Sequence, residues 1–189
     1  TVPPGGTEEQ EGRGGLKDYN RIGYVSQDFH RGGTRTVEYA YNDFNIATVA
    51  KGLGKLEIAS RYYDQANNWQ NLWRDISNNG STGFIMPRNA DGSWVDTINC
   101  DLSDAPRESI DYHPLARDWP RCVCWWCGFL YEASSWEYSL YVPHDVTSLV
   151  VKSGGTVAFR RRLDTLFNSD FYNVGNEPSF LSPTLYHWI

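Results

Sequence analysis

The sequence predicts a mainly α fold in which αα-hairpins form part of an α/α toroid with long irregular loops. Apolar residues recur at helical spacing in two regions, and a glycine-containing turn divides each region into two helices. Residues 78–132 separate the two regions, whereas the helices of a simple bundle are usually joined by about 2–8 residues. The long link therefore favours a toroid over a bundle.

The first helical pair begins at Thr34. One face of its first helix is apolar and carries Val37, Tyr41, Phe44 and Ala47. Gly52 and Gly54 end that helix, and a second helical pattern follows, formed by Ala59, Tyr62, Ala66, Trp69 and Trp73. Two helices of about 18 residues, each roughly 27 Å long, must lie antiparallel when so few residues join them.

The second helical pair begins after Pro143. Asp145 is a good N-cap for a helix over residues 146–152, Gly154 and Gly155 end that helix, and Thr156 can cap the next. Residues 78–94 are rich in turn signals and predict a loop with a short extended piece near residues 84–86. Residues 1–33 predict an irregular N-terminal segment, followed by one incomplete domain over residues 34–189.

Composition and charge argue against two classes of partner. The chain has 189 residues and a formal net charge of −6, and nucleic-acid-binding proteins normally carry basic patches. Its longest uncharged aromatic-apolar run, Cys122 to Tyr131, is much shorter than the roughly 20 residues of a membrane span. Any secretion signal is absent or already removed before Thr1. The sequon Asn79-Gly80-Ser81 favours a secreted glycoprotein.

The cysteines allow two interpretations. Four are present, at Cys100, Cys122, Cys124 and Cys127. Structural zinc sites usually use pairs of cysteines that are separated by two to four residues, and these positions fit that spacing poorly. An even number of cysteines in a secreted protein favours two disulfides. The zinc alternative would make the chain a helical adaptor.

Carboxylates and aromatic rings are concentrated in residues 131–138. Aromatic residues make up 15% of the chain, and they either line a sugar-binding cleft or build the core. Burial among rings would raise the pKa of Glu132 or Glu137, as a general acid requires. On one helix these two side chains would lie about 500° apart, so only one of them can face a given cleft. The alternative is two solvated carboxylates near a helix start.

A second candidate site is the loop from Gly175 to Ser179. The side-chain oxygens of Asn176 and Glu177, on a loop stiffened by Pro178, could coordinate Ca²⁺. An exposed turn has the same composition and is the alternative interpretation. Among the histidines, His144 is the candidate of interest, because it lies next to Asp145.

Six segments taken in order point to one family. They are residues 36–44, 83–94, 131–138, 142–145, 154–159 and 175–178. At these spacings they resemble the catalytic region of glycoside hydrolase family 92, the calcium-dependent exo-acting α-mannosidases, and the secreted fungal members most closely. The resemblance extends from about residue 12 to the C-terminus.

The resemblance implies inverting hydrolysis of α-mannosides in a site shared by an N-terminal β-sandwich and an (α/α)6 toroid. It implies that Glu132 is the general acid. It also implies that Asn176 and Glu177 bind calcium, which contacts the mannose hydroxyls and helps to distort the ring, and that Glu177 also binds the sugar. We expect Trp136 to contact the substrate, and Glu38, His144 and Asp145, which match family motif positions, to support its binding.

The resemblance further implies that a larger enzyme contains this chain. In the family an Asp/Glu-rich motif ahead of Gly-x-Met-Ser-x-Trp supplies the general base, and the sequence ends at Ile189 before such a motif. We therefore expect the isolated chain to be inactive, because inverting hydrolysis needs both carboxyl groups. We also expect it to associate with the remainder of its parent or with itself. A non-catalytic carbohydrate-binding or interaction module is the main alternative.

Overall fold

The computed structural model describes residues 13–95, 129–131, 133–175 and 177–189 in full, and residues 98–100 and 110–112 for their backbone. The α-helices in these ranges are α1 (Leu16–Ile22), α2 (Gly32–Gly52), α3 (Leu56–Gln65), α4 (Ser135–Tyr138), α5 (Val146–Lys152) and α6 (Thr156–Asn168). The strands are β1 (Trp73–Asn78), β2 (Ser81–Ile85), β3 (Ile98–Cys100) and β4 (Ile110–Tyr112). Short 3₁₀ helices are Asn68–Leu72, Glu177–Ser179 and Ser182–Trp188. The predicted mainly α class is confirmed.

Helices α2 and α3 form the first predicted αα-hairpin. The turn between them closes where Lys55 N donates to the carbonyl of Ala50 at 2.9 Å. Helix α3 is shorter than predicted, because the chain tightens into a 3₁₀ helix and then enters β1. The rings of Trp69 and Trp73 still pack edge to face, with centroids 5.7 Å apart. Their helical spacing therefore reflects a shared core position rather than one continuous helix.

Strands β1 and β2 form an antiparallel hairpin. Strand β1 begins at Trp73, which the sequence assigned to a helix, and β2 lies in the predicted loop, where it overlaps the extended piece expected near residues 84–86. The pairing ends with Asn78 opposite Ser81. Asn79 and Gly80 lie between them with φ values of 45° and 76°, and the two-residue turns that suit hairpins need positive φ at both positions. Strands β3 and β4 pair antiparallel as a second two-stranded sheet.

Helices α5 and α6 form the second predicted αα-hairpin. The Asp145 carboxylate caps α5 as predicted, because it accepts a hydrogen bond from Ser148 N at 3.2 Å. Gly154 and Gly155 make the turn with φ values of 94° and 88°. Gly155 occupies the N-cap of α6, and Thr156 is the first helical residue rather than the cap.

Residues 13–31 pack against α2 and include α1, whereas the sequence predicted an irregular segment. The Tyr19 hydroxyl donates to Oδ2 of Asp43 at 2.9 Å, and Arg13 pairs with Oδ1 of the same buried carboxylate at 2.7 Å. Helix α1 has only seven residues between two glycines. They include too few apolar positions to show a helical period, so the sequence pattern did not predict this helix. The domain boundary at residue 34 stays a prediction.

One apolar core joins both αα-hairpins, the β-hairpin and the C-terminal segment. Arg162 of α6 is buried in this core, where its guanidinium donates to the Gly83 carbonyl at 2.6 Å. The same guanidinium lies 4.3 Å from the ring centroid of Phe84. At Gly83, φ is +86° and an added Cβ would lie 2.3 Å from the Trp73 ring. This position therefore requires glycine on two grounds.

An apolar surface is exposed at the turn between α2 and α3. Its side chains border a shallow groove of about 420 Å³ and include Ile46, Val49, Leu53 and Ile58. No helix in the described ranges combines the length and the hydropathy of a membrane span.

Candidate active site

A cavity of about 190 Å³ lies between α2, the residues around α4 and the 3₁₀ helix that begins at Glu177. Its lining combines carboxylates, phenol rings and small residues, namely Thr34, Glu38, Tyr131, Tyr138, Tyr141, Glu177 and Pro178. Pockets for drug-sized ligands span about 300–1,000 Å³, so this cavity suits a smaller molecule. Of the predicted site residues, the structure brings Glu38 and Glu177 together here.

The segment of residues 129–131 forms one wall of the cavity because it runs against the first turn of α2. Gly33 N donates to the Phe129 carbonyl at 3.1 Å, and Tyr131 N donates to Oγ1 of Thr34 at 2.8 Å. A Cβ at Gly33 would lie 2.3 Å from the Phe129 ring. The absence of a side chain at residue 33 therefore permits this close approach.

Glu38 and Tyr141 both line the cavity and interact with each other there. Burial raises the pKa of Glu38, and the bond from Tyr141 opposes that rise. Burial and the neighbouring Glu38 charge raise the pKa of Tyr141 to about 12. Tyr141 therefore keeps its proton at neutral pH and can donate a hydrogen bond.

The sequence analysis did not identify the tyrosines that line the cavity. Tyr138 and Tyr141 are spaced i, i+3, which on a helical turn places two side chains on one side. That spacing was the available signal, although α4 ends at Tyr138. Their common wall depends on contacts with distant α2, which a local pattern does not reveal.

Glu137 is buried and joins α4 to the segment that carries the 3₁₀ helix at residues 177–179. Oε2 accepts a hydrogen bond from Ser134 N at 3.2 Å. Oε1 accepts bonds from Asn173 N at 3.1 Å and from the Ser179 hydroxyl at 2.5 Å. Burial raises the pKa of Glu137, and these hydrogen bonds oppose the rise. The spacing Ser134-x-x-Glu137 is a capping-box pattern that predicts such a structural role.

Trp136, which the sequence analysis placed against the substrate, lies in the core with 0% of its surface exposed. Its ring stacks on Phe171, with centroids 4.6 Å apart and an interplanar angle of 8°. Nε1 donates to Oδ1 of Asn78 at 2.9 Å. The ring of Trp136 is therefore part of the core, which is the second of the two roles that the sequence analysis allowed for the aromatic residues.

His144 and Asp145 lie beside the cavity lining rather than in it. His144 Nε2 contacts the Ala66 carbonyl at 2.8 Å, and the imidazole stacks on Tyr41 with centroids 5.8 Å apart. Burial lowers the pKa of His144, and the contact with Ala66 opposes this. Asp145 caps α5. Both residues hold helices in place in the structure.

Glu132 and Asn176 lie outside the described residues, as do Cys122, Cys124, Cys127 and the Cys100 side chain. The chain neighbours of the first two are described: Tyr131 precedes Glu132, Glu177 follows Asn176, and both neighbours line the cavity. In the part of the chain that the structure describes, no three acidic, histidine or cysteine side chains cluster as a metal site.

Comparisons with known sequences identify relatives of this chain. The model of the glycosyl hydrolase family 92 catalytic domain matches residues 2–189. A protein of Arthroderma benhamiae, named an uncharacterized secreted glycosidase, is 36% identical over 94% of this chain and 23% of its own length.

Solved structures from Bacteroides thetaiotaomicron share the fold. A family 92 inverting mannosidase has a TM-score of 0.70 at 27% identity, over 93% of this chain and 24% of its own. A family 92 α-mannosidase has a TM-score of 0.70 at 29% identity, and the match covers 92% of this chain and 20% of that one. Its complex with mannoimidazole has a TM-score of 0.68 at 26% identity, over 92% and 22%. The chain spans less than a quarter of the length of these relatives. Because the family model covers nearly all of its residues, the chain belongs to glycoside hydrolase family 92.

Proposed function

We propose that the complete protein is an exo-acting α-mannosidase that releases terminal α-linked mannose with inversion, and that Glu132 is its general acid. The cavity carries this proposal: the residue before Glu132 and the residue after Asn176 line it together with Glu38. The likeness to solved family 92 mannosidases supports the substrate class. We place the general base in a part of the protein outside this chain.

Calcium suits the donor chemistry of this cavity. Glu38 and Glu177 contribute carboxylates to one small space, and Ca²⁺ prefers such oxygen ligands. Asn176 adds an amide oxygen next to Glu177 in the sequence. Ca²⁺ takes about six to eight ligands, so water, backbone or sugar oxygens would complete the set. Bound calcium would contact the mannose hydroxyls and favour a distorted ring.

The residues of this chain bind the sugar and deliver a proton. Tyr141 keeps its proton at neutral pH and donates a hydrogen bond to Glu38, while Glu38 accepts a second hydrogen bond from a sugar hydroxyl. Glu132 protonates the leaving glycosidic oxygen. A carboxylate outside the chain activates the attacking water on the opposite face, since inverting enzymes hold their two carboxyl groups about 6.5–9.5 Å apart.

The role of Glu132 is tested in the full-length protein with Glu132→Gln, and Glu57→Gln of the exposed α3 surface is the matched control. General acid catalysis contributes about 10²–10⁴-fold, so we expect Glu132→Gln to lose that factor of kcat on an α-mannobioside. On α-mannosyl fluoride, whose leaving group needs no proton, the same variant should stay within about tenfold of wild type. Proton NMR of the first product should detect β-mannose.

Equal losses on both substrates would remove Glu132 from the acid role, and first release of α-mannose would exclude inversion. Glycan binding by a wild-type protein that releases no mannose would instead support the non-catalytic carbohydrate-binding module. We expect mannose release from the full-length protein and none from the isolated chain, which lacks the base.

We also propose secretion, since the curated relative is named a secreted glycosidase. Asn79 of the sequon is exposed at the tip of the β-hairpin, where a glycan can be accommodated. An oxidising compartment would let the four cysteines form two disulfides.

The exposed apolar surface at the turn between α2 and α3 is the place where we expect the remainder of the protein to contact this chain.

A further inference from the structure

The two oxygens of the buried Glu137 carboxylate accept hydrogen bonds from two different parts of the chain. Oε2 faces the start of its own helix, where Ser134 N donates to it. Oε1 faces a segment far along the chain, where Asn173 N and the Ser179 hydroxyl donate at 3.1 and 2.5 Å. Hydrogen bonds to an ionised acceptor are shorter and stronger than those between neutral groups.

The segment that Glu137 holds is also the segment that carries the predicted calcium ligands. Asn173 and Ser179 bracket Glu177 and Pro178, both of which line the cavity. The bond from Ser179 begins at the residue directly after Pro178. A shift of this bond therefore moves the cavity wall.

A second contact anchors the same segment one residue earlier on α4. The Trp136 ring stacks on Phe171 at 4.6 Å, so adjacent residues of α4 provide one apolar and one polar anchor. Tyr138, the residue after Glu137, also lines the cavity. Helix α4 thus carries one lining residue, Tyr138, and holds the segment that carries another, Glu177.

We propose that Glu137 is a positioning residue, whose hydrogen bonds to Asn173 and Ser179 set the place of Glu177 and so the calcium affinity of the site. The proposal rests on the proposed calcium-assisted function. Glu137 itself contacts neither the metal nor the sugar in this assignment. Its effect on the reaction passes through residues 173–179.

The test compares three variants of the full-length protein. Ser179→Ala removes one bond to Oε1 and leaves Glu137 in place. Glu137→Gln removes the charge and keeps one side-chain oxygen for Asn173 N and Ser179, while its NH2 group replaces the oxygen that accepts from Ser134 N. Ser153→Ala is the matched control, because Ser153 is also a buried serine and its hydroxyl has no hydrogen-bond partner among the described residues.

Calcium affinity is measured by titration calorimetry on metal-free protein, with thermal unfolding as the check on folding. We expect Ser179→Ala to raise the calcium Kd by about tenfold, the lower end for one bond to a charged acceptor. Glu137→Gln weakens both bonds to Oε1 by removing the charge, so it should raise the Kd at least as much as Ser179→Ala, and Ser153→Ala should match wild type. If Ser179→Ala does not fold, Phe171→Leu, which removes the second anchor, should raise the Kd at least threefold.

A purely structural role would lower the unfolding temperature and leave the calcium Kd of the folded variants unchanged, which overturns the proposal. If the wild-type protein binds calcium and releases mannose but the variants keep the wild-type calcium Kd, this inference alone is overturned. A wild-type protein that neither binds calcium nor releases mannose overturns the proposed function and this inference with it.

Discussion

The close approach of residues 129–131 to α2 makes a sharp stability prediction for Gly33→Ala. The added Cβ would lie 2.3 Å from Cε1 of Phe129 and 2.8 Å from Cδ2 of Leu130, so these side chains must move. Overpacking costs about 1–3 kcal/mol, and the 2.3 Å contact places this case in the upper half of that range. Alanine regains up to about 1 kcal/mol of helix propensity. We therefore expect the free energy of unfolding to fall by about 1–3 kcal/mol.

Gly52→Ala on the same helix is the control. No atom lies within 4 Å of a Cβ at Gly52, so the substitution should stabilise the protein by about 0.5–1 kcal/mol. Calorimetric unfolding of the two full-length variants should thus give shifts of opposite sign. Equal stabilisation by both variants would refute the packing argument for residue 33, and with it the account of this cavity wall.

Three further predictions concern groups at or near the cavity. Burial raises the pKa of Glu38 above its ordinary value of 4.5. The contribution of Glu38 to stability is therefore full below pH 4.5 and is lost as the pH rises through the folded pKa. Glu38→Gln should flatten this part of a plot of unfolding temperature against pH. Burial lowers the pKa of His144 below 6.5, so stability should fall as pH drops from 6.5 through the folded pKa, and His144→Gln should remove that decline; an unchanged profile would contradict burial of the imidazole. Trp136→Phe deletes one donor to Asn78, whose Oδ1 still accepts from Asn79, so loss of this bond should cost about 0.5–1.5 kcal/mol of stability while KM for α-mannosides stays within about twofold. A large rise in KM at intact folding would assign the ring to the substrate.

The sequence predicted those parts of the fold that depend on local capping and turn chemistry. Asp145 and the two glycines after α5 act over a few residues, so their pattern located the second αα-hairpin correctly. Trp69 and Trp73 misled the prediction because their spacing of four fits both a helix and a 3₁₀ helix followed by a strand. Only the packing of both rings in the core distinguishes these arrangements.

The candidate site was predictable only in part. Glu38 and Glu177 were expected at the site from the resemblance to the family, and both line the cavity. Tyr138 and Tyr141 were missed because they line the cavity together with residues of α2, which lies about 100 residues earlier in the sequence. The sequence analysis considered Glu137 as a possible acid or as a solvated carboxylate near a helix start. Its role in joining α4 to residues 173–179 was missed, because these two partners lie 36 and 42 residues further along the chain and no short-range pattern indicates them.

The contact between Gly83 and Arg162 has an evolutionary consequence. A side chain at residue 83 would displace the Trp73 ring and, with it, the strand carbonyl that accepts from the guanidinium. An arginine that loses its acceptor inside the core is costly, so neither position can change first without a penalty. In related proteins we expect the two residues to be retained together or exchanged together, and a sequence with only one of them should carry a compensating change nearby.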